Sequence, residues 1–477
     1  MFERRVKEQQ QGEFWIAASR LAKATPSRFY ELVERTLGKM GFATQVWELC
    51  RSAYAEEAKG GRPGIDPVVY LKMLMVGFFE DLPSERAIAA RCADSLSVRG
   101  FLGYDLTEAT PEHSSLTVIR QRLGLEIYQQ VFELILVALR EHGLLKGRHL
   151  GIDSSVLEAN ASLRSLVERN TEQNYWEYVK RLAGEAGVNP NDIDQLRRFD
   201  RDRPGRKTSN EQWVNPHDRE AKIGKTKRGV TALIYKPEHV VDLESGAIVS
   251  AEILPGDQGD TTRLNQRVVQ AQGVLHRTIP KEAAKKLMQS VAADKGYFAL
   301  EEIKSIQGLG IKTVINDKWE KTRPYKRLSK EDQRALRKAK QARESKYGRA
   351  LLQQRGQHLE RSFRHILDEG GLRCTSLRGR TNLTKRYKLG ASFYNLSQLL
   401  RKLYGIGTPR QWMAASRDNC AAFFGLLQWL LIKLTNLIDH CRPRDVVSAK
   451  LLLHGLLVLI SQSISLGPKA VGFSTVS

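Results

Sequence analysis

Two aspartates in this chain follow short apolar runs of the kind that form buried β-strands. Asp153 follows the run in RHLGIDSSV, and Asp294 follows the run in SVAADKGYF, where Gly296 lets the chain turn. If these strands are neighbours in one sheet, both carboxylates emerge at the same edge. Hard divalent cations such as Mg²⁺ bind a few carboxylates and keep water and phosphate oxygens for the rest of their shell. A third carboxylate at this edge would therefore complete a site for two divalent cations.

Glu360, in GQHLERSFRHILDE, is the best candidate for that third carboxylate. It lies beside the apolar stripe of a predicted helix, from which it could lean over the sheet edge. Asp368 and Glu369 are rivals, but they fall near the helix end beside two glycines and are typical of terminal surface residues. The apolar stripe comprises Leu359, Phe363, Ile366 and Leu367.

Each acid taken singly also has an ordinary structural explanation. A strand-end aspartate commonly makes a turn or caps a helix, and Glu360 could pair with Arg364 one turn further along. Asp242 in DLESG is better interpreted as a turn residue, and Asp260 in GDQGDTTRL as a helix N-cap. The metal-site prediction therefore depends on the three acids acting together.

The elements that must position these acids begin after a helical region. Residues 1–147 show helical periodicity, and PVVYLKMLMVGFF is apolar nearly all round, which predicts a buried helix. The segment PSRFYELVERTLGKM predicts an amphipathic helix. Its apolar face consists of Phe29, Leu32, Val33 and Leu37.

A possible DNA reader lies within this helical domain. LPSERAIAARCADSLSVRGFLGY predicts two short helices, and TPEHSSLTVIRQRLG predicts a third that starts at Pro111 with Ser114 or Ser115. Arg120 and Arg122 are expected to point away from its apolar face. This pattern fits a helix-turn-helix-like reader and equally an ordinary surface helix. The apolar face consists of Leu116, Ile119 and Leu123.

Residues 148–404 predict an α/β domain with a mixed sheet. The order is a strand, a hairpin around DLESG, a helix, a strand ending at DKGYF, a helix and a last strand, IKTVIND. A polar insertion occupies 161–229 and a basic insertion 318–350. Residues 405–477 form a C-terminal helical segment.

Charge predicts a polyanionic partner. The chain of 477 residues has 76 Lys and Arg against 53 Asp and Glu, a net charge of +23. The insertion 318–350 holds 13 basic and 4 acidic residues, and such an arm would flank a site at the strand ends. A solvated helical face is the alternative explanation for it.

Several classes of site and location are not supported by the sequence. The chain has no P-loop lysine motif and no G-x-S-x-G elbow, and GLG at 308–310 is interpreted as a helix end. Its five cysteines have no metal-site spacing, and no signal-peptide pattern is present at the N-terminus, so a cytoplasmic location is expected. The apolar stretch 451–466 is shorter than the ~20 residues that span a bilayer. It is expected to be a buried or oligomer-facing helix, with a membrane anchor as the alternative.

The chain resembles the DDE transposases of bacterial insertion sequences. The likeness runs through GRPGIDPVVYLKMLMVGFFEDLPSERAIAARCADSLSVRGFLGY and TPEHSSL, then GIDSSVLEANASL around Asp153 and NPHDREAKIGKTKRG. It continues through EHVVDLESGAIVSAEILPGDQGDTT, ADKGYF around Asp294, and QQRGQHLERSF around Glu360. The resemblance implies a ribonuclease-H-like catalytic core after an all-helical N-terminal domain. It also implies that these three acids are the catalytic, metal-binding triad.

The resemblance further implies a reaction and partners. Two Mg²⁺ ions, with Mn²⁺ as an alternative, would support cleavage at the element ends and strand transfer into target DNA. The partners would be double-stranded DNA, namely terminal inverted repeats and target, and at least a second copy of the chain, without a membrane. The expected location is the bacterial cytoplasm at the nucleoid. Two alternatives remain: a nuclease that does not join strands, and a non-catalytic DNA-binding protein descended from a transposase.

The auxiliary DNA contacts differ from those of related transposase groups. Those groups carry a tyrosine, an arginine and a lysine around the glutamate, whereas here position 367 is leucine; Arg355, Arg361 and Arg364 are substitutes. Basic and polar residues across the chain are expected to contact DNA. They are Arg86, Arg91, His113, Ser114, Arg120, Arg122, Lys326, Arg327, Arg355, Arg364, Lys385 and Arg386.

Overall fold

The computed structural model describes most of the chain, with gaps. The described ranges are 23–54, 64–205, 209–259, 263–280 and 287–415, without the side chain of Lys326. Asp260 and the apolar stretch 451–466, for which a helix cap and a buried helix were predicted, lie outside these ranges. Within them, no helix combines the length and the hydropathy that crossing a bilayer requires.

The N-terminal region is helical, as predicted. Its third helix is buried nearly all round, and it starts at Pro67 with the side chain of Asp66 accepting a hydrogen bond from the amide of Val68. The four apolar residues predicted to share a face in the first helix are all buried. The helices are α1 Arg28–Lys39, α2 Phe42–Cys50, α3 Pro67–Phe79, α4 Glu85–Asp94, α5 Leu96–Leu102, α6 His113–Arg122 and α7 Leu125–Glu141.

The predicted reader corresponds to α4, α5 and α6. The apolar face of α6 is buried as expected, but α6 starts differently from the prediction. The N-cap of α6 is Glu112, which makes no side-chain cap hydrogen bond, and neither Ser114 nor Ser115 caps the helix. Because both serines fall inside the first turn, they cannot take the extended backbone conformation that an N-cap residue adopts.

The central sheet is mixed. Strands β7, β6, β1, β8 and β9 lie side by side in that order; β6 is antiparallel to both β7 and β1, whereas β1, β8 and β9 are parallel. Short strands β2 and β5 also pair with β6. The strands of this sheet are β1 His149–Ser154, β2 Leu157–Glu158, β5 Lys222–Lys225, β6 Thr231–Asp242, β7 Ile248–Pro255, β8 Ser290–Ala293 and β9 Lys312–Ile315.

This strand order is that of a ribonuclease-H-like sheet: a first strand in the centre, an antiparallel hairpin on one side and two parallel strands on the other. The predicted sequence of strand, hairpin, helix, strand, helix, strand is confirmed. The connecting helices are α10 Leu264–Thr278 and α11 Leu300–Gly308. The predicted turn at Asp242 is also confirmed, because its buried carboxylate accepts hydrogen bonds from the amides of Lys146, Gly147 and Glu244. Burial raises the pKa of Asp242.

The polar insertion 161–229 follows the first strands of the sheet. It contains helices α8 Tyr175–Glu185 and α9 Ile193–Asp202 and the two-stranded pair β3 Val167–Glu168 with β4 Trp213–Val214. Strand β5 at its end returns to the central sheet, a pairing that the sequence pattern did not predict.

Three long helices complete the described fold. They are α12 Lys330–Glu344, α13 Lys346–Phe363, which continues as a π-helical turn at Arg364–Asp368, and α14 Arg380–Tyr404. α13 crosses one face of the sheet and contacts β9, β8, β1 and β6. α14 packs against α7 and β7, which joins the helical region to the sheet. The boundary predicted at residue 147 stays a prediction.

Candidate active site

Asp153 and Asp294 lie side by side at the carboxyl ends of two parallel strands. Ile152 on β1 is paired with Ala293 on β8, so each aspartate occupies the next register position. Residues at equivalent register positions of neighbouring strands point to the same face, and neighbouring strands are about 4.8 Å apart. The two aspartates therefore share an edge of the sheet, as expected for neighbouring strands, and their register positions also place them on one face.

The two aspartates differ in their surroundings. The carboxylate of Asp153 is half-buried; its Oδ1 accepts a hydrogen bond from the amide of Ser154 at 2.9 Å, and its Oδ2 lies 2.7 Å from Nη2 of Arg355. Asp294 is exposed at the start of a short 3₁₀ turn, Lys295–Tyr297, and its side chain does not cap that turn. One carboxylate is thus already neutralised by a cation, and the other faces solvent.

Glu360 lies on α13, the helix that covers the face of the sheet carrying the two aspartates. His358, two residues earlier, packs against Gly246 in the β6–β7 turn, which lies at the opposite edge of the sheet from Asp153. Two residues correspond to about 200° around an α-helix. Glu360 therefore lies on the flank of α13 that faces away from that turn, and its side chain is exposed.

The three acids do not form a ready-made metal cluster. Within the described residues, no group of three or more His, Cys, Asp and Glu side chains is arranged to hold a metal ion. Arg355 of α13, rather than Glu360, contacts Asp153. Two of the three predicted ligands are therefore adjacent, and the third lies on a neighbouring helix.

Gly151 explains how α13 approaches β1 so closely. A Cβ atom at this position would lie 2.6 Å from Cδ2 of Leu243 and 3.3 Å from Cγ of Arg355. The absence of a side chain leaves room for the aliphatic stem of Arg355, whose Nε donates to the carbonyl oxygen of Ile152 at 3.3 Å. Glycine in GID thus helps to bring the guanidinium to the aspartate two residues later.

A buried histidine fixes the position of α13, and sequence analysis missed it. His239 on β6 is the register partner of Asp153, and its ring stacks on Phe363 with centroids 4.1 Å apart. Its Nδ1 lies 2.8 Å from Oγ of Ser362, and its Nε2 lies 2.7 Å from the hydroxyl of Tyr387. Burial lowers the pKa of His239 to about 3, so the ring is neutral.

The hydrogen bonds around His239 also determine its tautomer. Ser362 donates its hydroxyl hydrogen to the carbonyl oxygen of Leu359, so Nδ1 of His239 must donate to Ser362. Nε2 then accepts from Tyr387, whose hydroxyl stays protonated because burial raises its pKa. Both ring nitrogens of His239 and the hydroxyls of Ser362 and Tyr387 thus have hydrogen-bond partners. The signal available in the sequence was only a histidine within the strand EHVVD, which does not indicate its partners.

A second buried network anchors the loop after Asp294. Tyr297 donates its hydroxyl to Oε1 of Glu238 at 2.9 Å, and Oε2 of Glu238 lies 2.5 Å from Nε of Arg267 on α10. All three side chains are buried. Because Glu238 lies on β6, this network ties the turn that begins at Asp294 to the strand next to β1. It is a positioning element that the sequence analysis did not identify.

Several predicted DNA contacts are exposed and available. Arg86, His113 and Ser114 are exposed on α4 and at the start of α6, two helices that pack against each other. Arg122 is exposed and lies over the ring of Tyr54, with 4.9 Å from its guanidinium carbon to the ring centroid. Arg327 is exposed as well.

Two predicted contacts are buried instead. Arg120, which was expected to point outward, is 7% exposed and forms an ion pair with Glu85, so that expectation is wrong. Lys385 is also buried; its ammonium donates to the carbonyl oxygen of Arg120 at 2.8 Å and lies over the ring of Tyr128. Burial lowers the pKa of both basic groups. The 3.6-residue pattern failed here because α14 covers the side of α6 that was taken to face solvent.

The remaining predicted contacts have protein partners or partial burial. Arg91 pairs with Glu80 at 2.6 Å, and Arg364 pairs with Glu369 at 3.2 Å. Arg386 is half-buried, and burial lowers its pKa to about 10. The pairing of Arg364 with Glu369 also differs from the suggested pairing with Glu360.

The basic insertion 318–350 folds against the sheet rather than extending as a free arm. α12 contacts β9 and α11. Lys340 and Arg343 both pair with Glu320, at 2.9 and 3.0 Å, which lowers the pKa of Glu320 to about 2. Part of the positive charge is thus compensated locally. The side chain of Lys326 lies outside the described part of the structure.

Sequence profiles of two protein families match the chain in separate segments. The family described as Transposase DDE domain matches residues 201–396, and the family described as Transposase domain (DUF772) matches residues 19–122. The chain belongs to the DDE transposases. Asp294 and Glu360 of this transposase lie in the first of these segments, whereas Asp153 lies between the two.

Structural comparison gives only distant similarity. The Mos1 mariner paired-end complex with Mn is 11% identical, with 68% of this chain and 86% of that chain covered and a TM-score of 0.18. A pre-cleavage Mos1 transpososome is 10% identical, with 65% and 81% covered and a TM-score of 0.19. TM-scores this low do not establish a shared arrangement of the whole chain. Curated proteins include no match to this transposase.

Membership of the family gives the general activity. DDE transposases cleave DNA and transfer strands, and they generally use divalent metal ions. This transposase is therefore a DNA-acting enzyme.

Proposed function

We propose that this transposase cuts double-stranded DNA at the ends of its own element and joins those ends to target DNA, with Asp153, Asp294 and Glu360 as the catalytic carboxylates. The observation that supports this proposal best is the register of β1 and β8, which leaves two carboxylates side by side at one sheet edge. Glu360 is included because the resemblance implies it and because α13, the helix that carries it, covers the same face of the sheet.

The residues at this edge fit divalent cations. Carboxylate oxygens are the ligands that Mg²⁺ and Mn²⁺ prefer, and the guanidinium of Arg355 already stands in for a cation at Asp153. Asp153 and Asp294 would hold two Mg²⁺ ions from the strand side, and Glu360 from the helix side. Bound there, such ions would activate the attacking oxygen and stabilise the departing one.

The chain's own residues supply rigidity and charge. Asp153 and Asp294 are attached to paired strands, so little conformational entropy is lost when they are positioned. Glu360 must turn about its side-chain bonds toward the edge, while the His239–Ser362 contact keeps α13 in place. The carboxylates position cations and need not accept a proton.

DNA contacts are proposed for the exposed basic and polar side chains. Arg86, His113, Ser114 and Arg122 would bind the terminal inverted repeats through the N-terminal helices, and Arg327 would contact the backbone near the sheet edge. Such phosphate contacts fix the orientation of a protein on DNA. Two element ends must be held together for transposition, so at least a dimer is proposed.

The direct test is cleavage and strand transfer on element-end DNA with Mg²⁺. Asp153→Asn, Asp294→Asn and Glu360→Gln should each lower the cleavage rate on the order of 1,000-fold, the effect of removing an electrostatic stabiliser of a transition state. Each substitution keeps the side-chain shape and removes one negative charge.

Control acids lie after another strand of the same sheet and after the helix that carries Glu360. Asp257 lies just past the end of β7, and Glu369 follows the π-helical turn after α13 and pairs with His365 and Arg364. Asp257→Asn and Glu369→Gln should retain cleavage within a few-fold. Full activity in any triad variant, or equal losses in the controls, would refute the assignment of the three acids.

A further inference from the structure

Arg355 occupies an unusual position for a basic residue next to a predicted metal site. Its Nη2 lies 2.7 Å from Oδ2 of Asp153, and Nε donates to the carbonyl oxygen of Ile152. The other carboxylate oxygen of Asp153 accepts the amide hydrogen of Ser154. The guanidinium therefore neutralises one oxygen of the very carboxylate that the proposed reaction requires.

A guanidinium and a divalent cation compete for that oxygen. Both carry positive charge, so each repels the other when both lie at the same carboxylate. A divalent ion at this edge has a second carboxylate, Asp294, beside it. Arg355 interacts with one carboxylate, whereas the ion would interact with two or three.

The exchange is also inexpensive. The side chain of Asp153 is 32% exposed and that of Arg355 is 14% exposed, so the pair is partly solvated. An ion pair that keeps contact with solvent is weakened by it, which makes exchange of the partner easier. The stem of Arg355 packs in the space that Gly151 leaves, so the head group can turn outward while the stem stays in place.

DNA offers a new partner for the displaced group. Arginine binds phosphate with two parallel hydrogen bonds, and Arg355 lies at the edge where the scissile strand would bind. A phosphate at this edge would therefore draw the guanidinium away from Asp153 as it arrives.

We propose that Arg355 is a resident counter-ion of Asp153 that a divalent metal ion must displace, and that DNA binding promotes metal binding by accepting the displaced guanidinium. This inference rests on the proposed function, since it assigns Asp153 to the metal site. Metal binding would then depend on bound DNA, so the protein without DNA would have a low affinity for the metal ion.

The test is Mn²⁺ affinity measured by titration calorimetry on the full chain without DNA. Arg355→Gln should bind Mn²⁺ about 5-fold more tightly than the parent, because no competing cation remains at Asp153. Arg361→Gln removes the same charge from the same helix and controls for the general electrostatic effect; it should change the affinity less than 2-fold.

The second arm adds element-end DNA that is already cut at the element end, without target DNA and in a buffer without Mg²⁺, so that no reaction accompanies binding. DNA should raise the Mn²⁺ affinity of the parent, and Mn²⁺ should raise its DNA affinity by the same factor, since the coupling is reciprocal. The coupling should shrink by several-fold in Arg355→Gln and persist in Arg361→Gln. Arg355→Lys, which keeps the charge, serves if the glutamine variant does not fold, and should retain weak Mn²⁺ binding without DNA.

Each result decides the question. Equal Mn²⁺ affinity in Arg355→Gln and Arg361→Gln, or weaker binding in Arg355→Gln, overturns the counter-ion role. Asp153→Asn should abolish Mn²⁺ binding at this edge in every background. If Asp153→Asn binds Mn²⁺ as well as the parent, the proposed active site itself fails, and the two failures are thereby distinguished.

Discussion

Arg355 on α13 and Arg120 on α6 are both largely buried helix arginines paired with a carboxylate, yet the surroundings of the two carboxylates differ. The side chain of Asp153, the partner of Arg355, is 32% exposed and lies beside a second carboxylate at the end of the strands. Arg120 is 7% exposed, its partner Glu85 is largely covered, and Lys385 donates to its backbone carbonyl. One ion pair is exchangeable, and the other is part of the packing between the N-terminal helices and α14.

The contrast extends to a second basic residue of α14, Lys388. Lys388 is buried and donates to Glu252 at 2.6 Å, to the side chain of Gln129 and to the carbonyl oxygen of Ala251. A cation satisfied by several protein acceptors has no remaining capacity for a phosphate unless the packing opens. Positive charge in this transposase therefore has two uses, and the partners of a side chain, rather than its residue type, distinguish them.

The largest effect that would sharpen this comparison is on stability. Arg120→Met should lower the free energy of unfolding by about 3–5 kcal/mol, because the largely buried carboxylate of Glu85 would lose its counter-charge. Arg122→Gln, two residues along the same helix and exposed, should change it by less than about 0.5 kcal/mol. Urea unfolding followed by circular dichroism measures both.

Equal losses of stability in Arg120→Met and Arg122→Gln would contradict this expectation, because the buried ion pair of Arg120 would then contribute no more than the exposed side chain of Arg122. A double variant, Arg120→Met with Glu85→Gln, should recover part of the loss, since the stranded charge is removed.

The next effect concerns the close approach of α13 to β1. Gly151→Ala should destabilise the fold by up to about 3 kcal/mol, because the added methyl would overlap Leu243 and press on the stem of Arg355. It should also weaken the Arg355–Asp153 contact. Gly184→Ala, on α8 where no atom lies within 4 Å of the added Cβ, is the control and should be neutral or slightly stabilising.

Much of the sheet edge was predictable because it depends on local signals. Apolar runs that end in an aspartate predict buried strands, and they place Asp153 and Asp294 at one edge if the two strands are neighbours. The pairing of β1 with β8 meets that condition. The position of Glu360 relative to this edge stays a prediction.

The rest depends on contacts between residues far apart in sequence. Arg120 and Arg122 differ by two positions, but only α14, some 260 residues later, determines that Arg120 is buried. The pairing of Arg355 with Asp153 and the contacts of His239 likewise join distant segments. Single-sequence patterns contain no information about such partners, so the sequence predicted which residue types are present without predicting their roles.

A smaller effect is expected from the buried histidine behind the site. The folded-state pKa of His239 is about 3, below the ordinary value of 6.5, so only the unfolded chain binds a proton between these values. The stabilising contribution is complete above pH 6.5 and is lost as the pH falls toward 3. Between pH 7 and pH 5 the loss should be about 2 kcal/mol.

Urea unfolding at pH 7, 6 and 5 tests this expectation. His239→Gln should be less stable at pH 7 but should lose this part of the pH dependence, whereas His113→Gln, exposed at the start of α6, should leave the slope unchanged. An unchanged slope in His239→Gln would mean that other groups cause the acid sensitivity, and that the ring is not held in its neutral form.

The smallest effect on stability is expected for Arg355, and it compares the Arg355–Asp153 pair directly with the Arg120–Glu85 pair. Arg355→Gln should lower the free energy of unfolding by less than about 1 kcal/mol, because a half-exposed ion pair contributes little and glutamine can still reach the carbonyl oxygen of Ile152. The loss in the free energy of unfolding would then be several-fold smaller in Arg355→Gln than in Arg120→Met, although each variant loses one guanidinium. A loss of 3 kcal/mol or more in Arg355→Gln would mean that Arg355 holds α13 on the sheet as a structural pin. A residue that holds α13 on the sheet has to keep its contacts during the reaction, whereas an exchangeable counter-ion has to leave Asp153. The change in the free energy of unfolding in Arg355→Gln therefore decides between these two roles.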